Sequence, residues 1–93
     1  MTVGILRLTL LIRGSRSLKE KRRHIKGLKD RTIARFKVAC AEVGRLDSPQ
    51  HAELAIAAVS NDGRHVAEVL SKIINTVGLY RGIELVDYET EFL

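Results

Sequence analysis

Tryptophan is absent, cysteine and proline occur once each, and only four aromatic residues (Phe36, Tyr80, Tyr88, Phe92) are found in 93 positions. Without aromatic bulk, any core has to be aliphatic. One cysteine excludes an internal disulfide. Cys40 lies in the run Val38-Ala39-Cys40-Ala41 and reads as a small buried hydrophobe of a reducing compartment. The sequence points to no base that would activate it as a nucleophile. Long apolar runs are lacking too. Val3 to Ile12 is too short to span a bilayer, and Arg7 interrupts it. It has neither the basic lead nor the small-residue cleavage site of a secretory signal. A cytoplasmic protein with no membrane partner is expected.

Chemistry-bearing motifs are equally scarce. The three histidines, His24, His51 and His65, are scattered, and no metal site is expected. There is no Walker loop, no dinucleotide fingerprint and no paired nucleophile and base. The expectation is a protein that is not an enzyme, with no catalytic residues and no small-molecule cofactor.

Negative charge is missing from one window. Residues 13 to 37 hold eleven basic side chains against Glu20 and Asp30, a balance of +9. The remaining residues hold five basic and nine acidic side chains, a balance of −4 within a net charge of +5. So polarised a chain points towards an anionic partner.

The length suits one domain, 1–93, in which folding buries about 60–65% of the unfolded chain's surface. Thr2 to Ile12 alternates as a strand, with Leu6, Leu8, Leu10 and Ile12 on one face. Ser17-Leu18-Lys19-Glu20 fits a capping box and opens a helix to about Arg35. Its apolar stripe is narrow: Leu18, Ile25 and Leu28, with Thr32 beside them. Lys21, Arg22 and Lys29 border the stripe, and their stems are expected to cover apolar surface while the charges reach water. Phe36 to Val43 reads as a second strand, and Gly44 to Gln50 as a turn. Ala52 to Ser60 reads as a third strand. Asp62 is placed to cap a second helix whose stripe is Val66, Val69, Leu70, Ile73, Ile74 and Val77. Gly78 is the expected C′ stop. Ile83 to Phe92 is a last strand, with Val86, Tyr88, Thr90 and Phe92 on one face and Asp87, Glu89 and Glu91 on the other.

The order β, α, β, β, α, β predicts an α+β ferredoxin-like sandwich, a four-stranded antiparallel sheet with two helices on one face. The strand feeding Ser17-Leu18-Lys19-Glu20-Lys21-Arg22-Arg23 resembles the signature of the YlxP-like family of small bacterial proteins. Phe36 to Asp47, with Ala41-Glu42-Val43-Gly44, and Glu84-Leu85-Val86-Asp87-Tyr88-Glu89 are similar as well. The resemblance spans the chain. It implies the same fold and a link to translation, since such genes often stand beside those of translation initiation and ribosome maturation factors. It brings no catalytic residues with it.

The expected function is an RNA- or ribosome-associated accessory protein. Lys19, Arg22, Arg23, Lys26 and Lys29 would contact phosphates, assisted by Arg13 and Arg16. Base stacking on the sheet is not expected, because the central strands offer only His51, at the edge of the third strand. That face, with Val3, Ile5, Arg7, Ala55, Ala57 and Val59, is instead an expected homodimer interface. An alternative is a protein-interaction module whose basic helix docks an acidic protein. Between Arg13 and Ser17, the loop either holds one anion at the helix N-terminus or is an ordinary capped turn. Acylphosphatase-like enzymes share the topology but need an Asn on strand two, which this chain lacks. That reading comes third.

Overall fold

Leucine at every second position drives the centre of the structure. The computed structural model covers residues 1–93. Its elements are β1 (Thr2–Ile12), α1 (Leu18–Phe36), β2 (Ala39–Gly44), β3 (His51–Ser60), α2 (Gly63–Gly78) and β4 (Ile83–Phe92). The strands form one antiparallel sheet in the order β2-β3-β1-β4, the ferredoxin-like arrangement.

Both helices cover one face. Leu6, Leu8, Leu10 and Ile12 of β1 and Ala52, Leu54 and Ile56 of β3 pack against Ile25 and Leu28 of α1 and Val66, Leu70, Ile73 and Val77 of α2. All are buried and none is aromatic. Gly4 seats α2 on the sheet: a Cβ there would stand 2.5 Å from Val66 Cγ1 and 2.9 Å from Leu70 Cδ1.

Four boundaries and faces differ from the sequence reading. β2 starts at Ala39 rather than Phe36, because α1 runs on through Phe36. Lys37 then closes α1 in the left-handed region, donating its N–H to Ile33 O. β3 starts one residue early, at His51. Gly78 is the last helical residue, and Leu79 closes α2 in a right-handed conformation with its N–H on Thr76 O and Val77 O. Lastly, Val86 does not share a face with Tyr88, Thr90 and Phe92. The register passes from Thr9 opposite Asp87 to Leu10 opposite Leu85, so Val86 is the extra residue of a bulge. Ile83 and Leu85 point to the helices before it, Tyr88 and Thr90 after it, and Val86 is left 54% exposed.

Candidate nucleic-acid interface

Local hydrogen bonding fixes the start of α1. Ser17 Oγ accepts from Glu20 N at 3.1 Å, as a capping box requires. The Glu20 carboxylate reaches one residue further back than expected and accepts from Arg16 N at 2.9 Å. The buried Ser15 donates its hydroxyl to Ser17 O. The loop Arg13–Ser17 is therefore a turn capped from within, with a carboxylate at the helix N-terminus. Arg13 turns away to pair with Glu84.

Lys21 departs furthest from expectation. Its charge does not reach water: the side chain is 0% exposed. Nζ donates to Arg45 O at 2.8 Å and to His51 O at 3.0 Å, and lies 3.0 Å from Glu42 Oε2. The Glu42 contact is an ion pair by distance, without the alignment of a hydrogen bond at Oε2. The wheel explains the burial. At 3.6 residues per turn, Lys21 stands in line with Ile25, Leu28 and Thr32 at the centre of the buried stripe. A bulge at Val43 keeps Glu42 opposite Leu54, on the helix side of the sheet and within reach. Lys21 is thus an internal strut that ties α1 to both ends of the β2–β3 turn. Arg45 gives its carbonyl to Lys21 and its guanidinium to Glu53.

The remaining cations divide by flank. On the outer and β2-facing side, Lys19, Arg22 and Arg23 are exposed, Lys29 is half-buried, and Arg16 is exposed just before the helix. None of these five has a carboxylate partner. Lys26 shares the face but pairs with Asp30 at 2.7 Å, and the hydrogen bond to that carboxylate holds its pKa above the usual lysine value. The Lys29 charge is close enough to Cys40 to pull the thiol down, yet burial outweighs it and the thiol pKa is raised.

On the flank facing α2, His24, Arg31 and Arg35 line a groove of about 610 Å³ with Tyr80 and Arg81. The spacing 24, 31, 35 marks the helical members in the sequence. Arg81, from the α2–β4 turn, carries no such signal. Arg31 lies over the Tyr80 ring at 5.4 Å and Arg35 over Phe36 at 5.0 Å.

The far side of the sheet has a different character. Val3, Ile5 and Arg7 pair across the strands with Val59, Ala57 and Ala55, so the six expected face residues do come together. Ala39 and Ala41 of β2, opposite Ala57 and Ala55, extend the patch. Along β4 the same face turns acidic. Asp87, Glu89 and Glu91 lie opposite Thr9, Arg7 and Ile5, and Arg7 offsets only Glu91, at 3.3 Å.

No group of three or more His, Cys, Asp or Glu side chains is placed to hold a metal ion. No helix is long and apolar enough to cross a membrane.

A basic helix over one face of a ferredoxin-like sheet, with an acidic strand on the other, defines the class of protein. The model of the family described as "Protein of unknown function (DUF503)" matches residues 3–90, and the chain belongs to that family. A search of curated proteins returns no match. Among solved structures, the chain is similar to the de novo designed protein Foldit4, at 14% identity and a TM-score of 0.57, over 100% of this chain and 97% of that one. This likeness reports the fold. A "REP associates tyrosine transposase bound to a REP hairpin" matches at 14% identity and a TM-score of 0.44, over 98% of this chain and 55% of that one.

Proposed function

We propose that this protein is a non-enzymatic, cytoplasmic accessory factor that binds the phosphate backbone of RNA, in ribosomes or their precursors, through the outer face of α1. The supporting observation is the row Arg16, Lys19, Arg22, Arg23 and Lys29, exposed or half-exposed and free of carboxylate partners. A 19-residue helix is about 28 Å long, enough to touch several successive phosphates. The acidic residues of β4 lie on the opposite face of the sheet, so an RNA strand is attracted to one side of the molecule and repelled by the other. Such binding reads shape and charge rather than bases. The resemblance to YlxP-like proteins, with their genetic neighbourhood in translation, belongs to this reading and supplies the ribosome as the target.

The test is co-sedimentation with ribosomal subunits and with isolated ribosomal RNA across a salt series. Five contacts to single-stranded RNA, at a slope of about 0.7 each, give log affinity falling by about 3.5 per decade of salt. Between about 50 and 200 mM salt the affinity then drops roughly a hundredfold. A folded Arg22→Glu, Arg23→Glu, Lys26→Glu variant is expected to stay in the supernatant. Affinity that ignores salt refutes phosphate contact.

A second reading is favoured by the apolar patch of Val3, Ile5, Ala39, Ala41, Ala55, Ala57 and Val59. In it, the protein is a homodimer through the open sheet face and docks an acidic protein on α1. Ribonuclease separates the two readings: a partner that survives digestion is protein.

A further inference from the structure

The groove between α1 and α2 is not needed for binding along the outer face, yet it gathers three guanidiniums and an imidazole. Arg31, Arg35 and Arg81 converge on it with His24, no carboxylate lines it, and none of the three guanidiniums is ion-paired. Its volume of about 610 Å³ falls within the roughly 300–1,000 Å³ typical of small-molecule sites. A neighbouring hollow of about 510 Å³ shares Arg31, Arg35, Thr76 and Tyr80, so the two are parts of one depression.

Two of the guanidiniums are already oriented. Arg31 lies over Tyr80 and Arg35 over Phe36, and neither guanidinium has an ion-pair partner in the protein, which leaves their charge for a ligand. Gly27 leaves room for Tyr80: a Cβ at that position would stand 3.1 Å from Tyr80 Oη, and the ring would have to give way slightly. One feature opposes anion binding. The C-terminus of α2 at Gly78 presents about half a negative charge. Three full positive charges outweigh it.

A set of three permanent cations, two of them held over aromatic rings and none ion-paired, suits a doubly charged terminal phosphate better than a singly charged backbone diester. We propose that the α1–α2 groove binds the terminal phosphate of a nucleoside 5′-phosphate, either at the 5′ end of an RNA strand or in a free nucleotide. The strand-end source rests on the backbone-binding reading above; the phosphate chemistry of the groove does not.

The test compares a short 3′-labelled RNA bearing a 5′-phosphate with the same RNA bearing a 5′-hydroxyl, at low salt, by fluorescence anisotropy. Nucleoside 5′-monophosphate is titrated separately by calorimetry. The phosphorylated RNA is expected to bind roughly tenfold tighter, the gain from one good charge-assisted hydrogen bond. The exposed pair Arg35→Gln, Arg81→Gln erases that ratio and leaves binding of the hydroxyl RNA nearly intact. Arg22→Gln, Arg23→Gln weakens both RNAs and preserves the ratio. If the monophosphate binds tighter than the phosphorylated RNA and displaces it, the natural ligand is a free nucleotide; if it binds more weakly or not at all while the ratio holds, the ligand is a strand end. Equal binding of the two RNAs with no heat from the monophosphate overturns the groove and leaves the backbone reading standing. Monophosphate binding without RNA binding does the reverse. Silence in every arm removes both.

Discussion

Replacing Lys21 by methionine keeps the length and most of the volume of the side chain while removing its charge and donors. In the wild type the ammonium is fully buried, with hydrogen bonds to Arg45 O and His51 O and an ion pair to Glu42, itself only 16% exposed. The variant strands two carbonyls and leaves a largely buried carboxylate without a counter-ion. A lost buried hydrogen-bond partner costs about 1–3 kcal/mol, and breaking a buried ion pair from one side costs about 3–5 kcal/mol. These contributions overlap, because water entering for one group serves the others. The expected loss is therefore about 3–5 kcal/mol, a large part of the roughly 5–15 kcal/mol that holds a domain of this kind together. Urea denaturation followed by circular dichroism measures it as a lower midpoint at unchanged slope. The double variant Lys21→Met, Glu42→Leu should regain at least about 1 kcal/mol, since the stranded carboxylate is gone and only the carbonyls remain unpaired. A loss below about 1 kcal/mol, or the same loss with and without Glu42, refutes the strut. Because Lys21 offers no charge to solvent, Lys21→Met that remains folded should bind RNA as the wild type does.

Two further predictions concern the core and the thiol. Gly4→Ala pushes a methyl group into the buried Val66 and Leu70 and should cost about 1–3 kcal/mol by the same denaturation assay; a stabilised variant would show that α2 is free to lift. Burial raises the Cys40 thiol pKa and the Lys29 charge pulls it down. Alkylation by iodoacetamide at mildly alkaline pH should therefore be slower than that of a free small thiol, and slower still in Lys29→Gln. Since an acid whose folded pKa is raised leaves the unfolded state to ionise first, stability should fall as pH climbs through the ordinary thiol range, and Cys40→Ala should flatten that fall.

The element order and the core were legible because aliphatic residues carry the whole signal. The stripe from Val66 to Val77 and the alternation from Leu6 to Ile12 admit one face each, and the structure uses both. The two bulges were not legible. Val43 and Val86 are ordinary strand residues, and only the pairing with β3 and β1 makes each the extra one. The join between α1 and β2 was misplaced for a related reason: Phe36 suits a helix end or a strand, and the left-handed turn that decides between them falls on a lysine. Lys21 was hidden by its own chemistry. A charged side chain defaults to the surface, and the groups that satisfy it lie 24 and 30 residues away on carbonyls, which have no residue-type signature, and on Glu42 of another strand. Of the basic surface, the outer face was readable from helical spacing, whereas the groove needed Arg81, which only the fold brings to α1.

Within Ser17–Arg23 the structure separates residues that build the helix from residues that burden it. Ser17 and Glu20 cap, and Lys21 braces the sheet. Lys19, Arg22 and Arg23 make no ion pair or side-chain hydrogen bond and bury no core surface. They stand at i, i+3 and i, i+4 from one another or from Lys26: 19 with 22 and 23, and 26 with 22 and 23. Each such like-charge pair costs about 0.2–0.5 kcal/mol, and one favourable spacing, Glu20 to Arg23, offsets a single pair. Changing Lys19, Arg22 and Arg23 together to glutamine should then stabilise the fold by about 1 kcal/mol at low salt, with the gain shrinking as salt screens the repulsion. Thermal unfolding at two ionic strengths reads both the sign and the screening. A destabilised variant would mean that these side chains serve the fold and that the phosphate-binding surface has to be sought elsewhere. A stabilised one that no longer sediments with RNA would show the three cations held in place against the stability of α1, which is the mark of residues retained for a partner rather than for the fold.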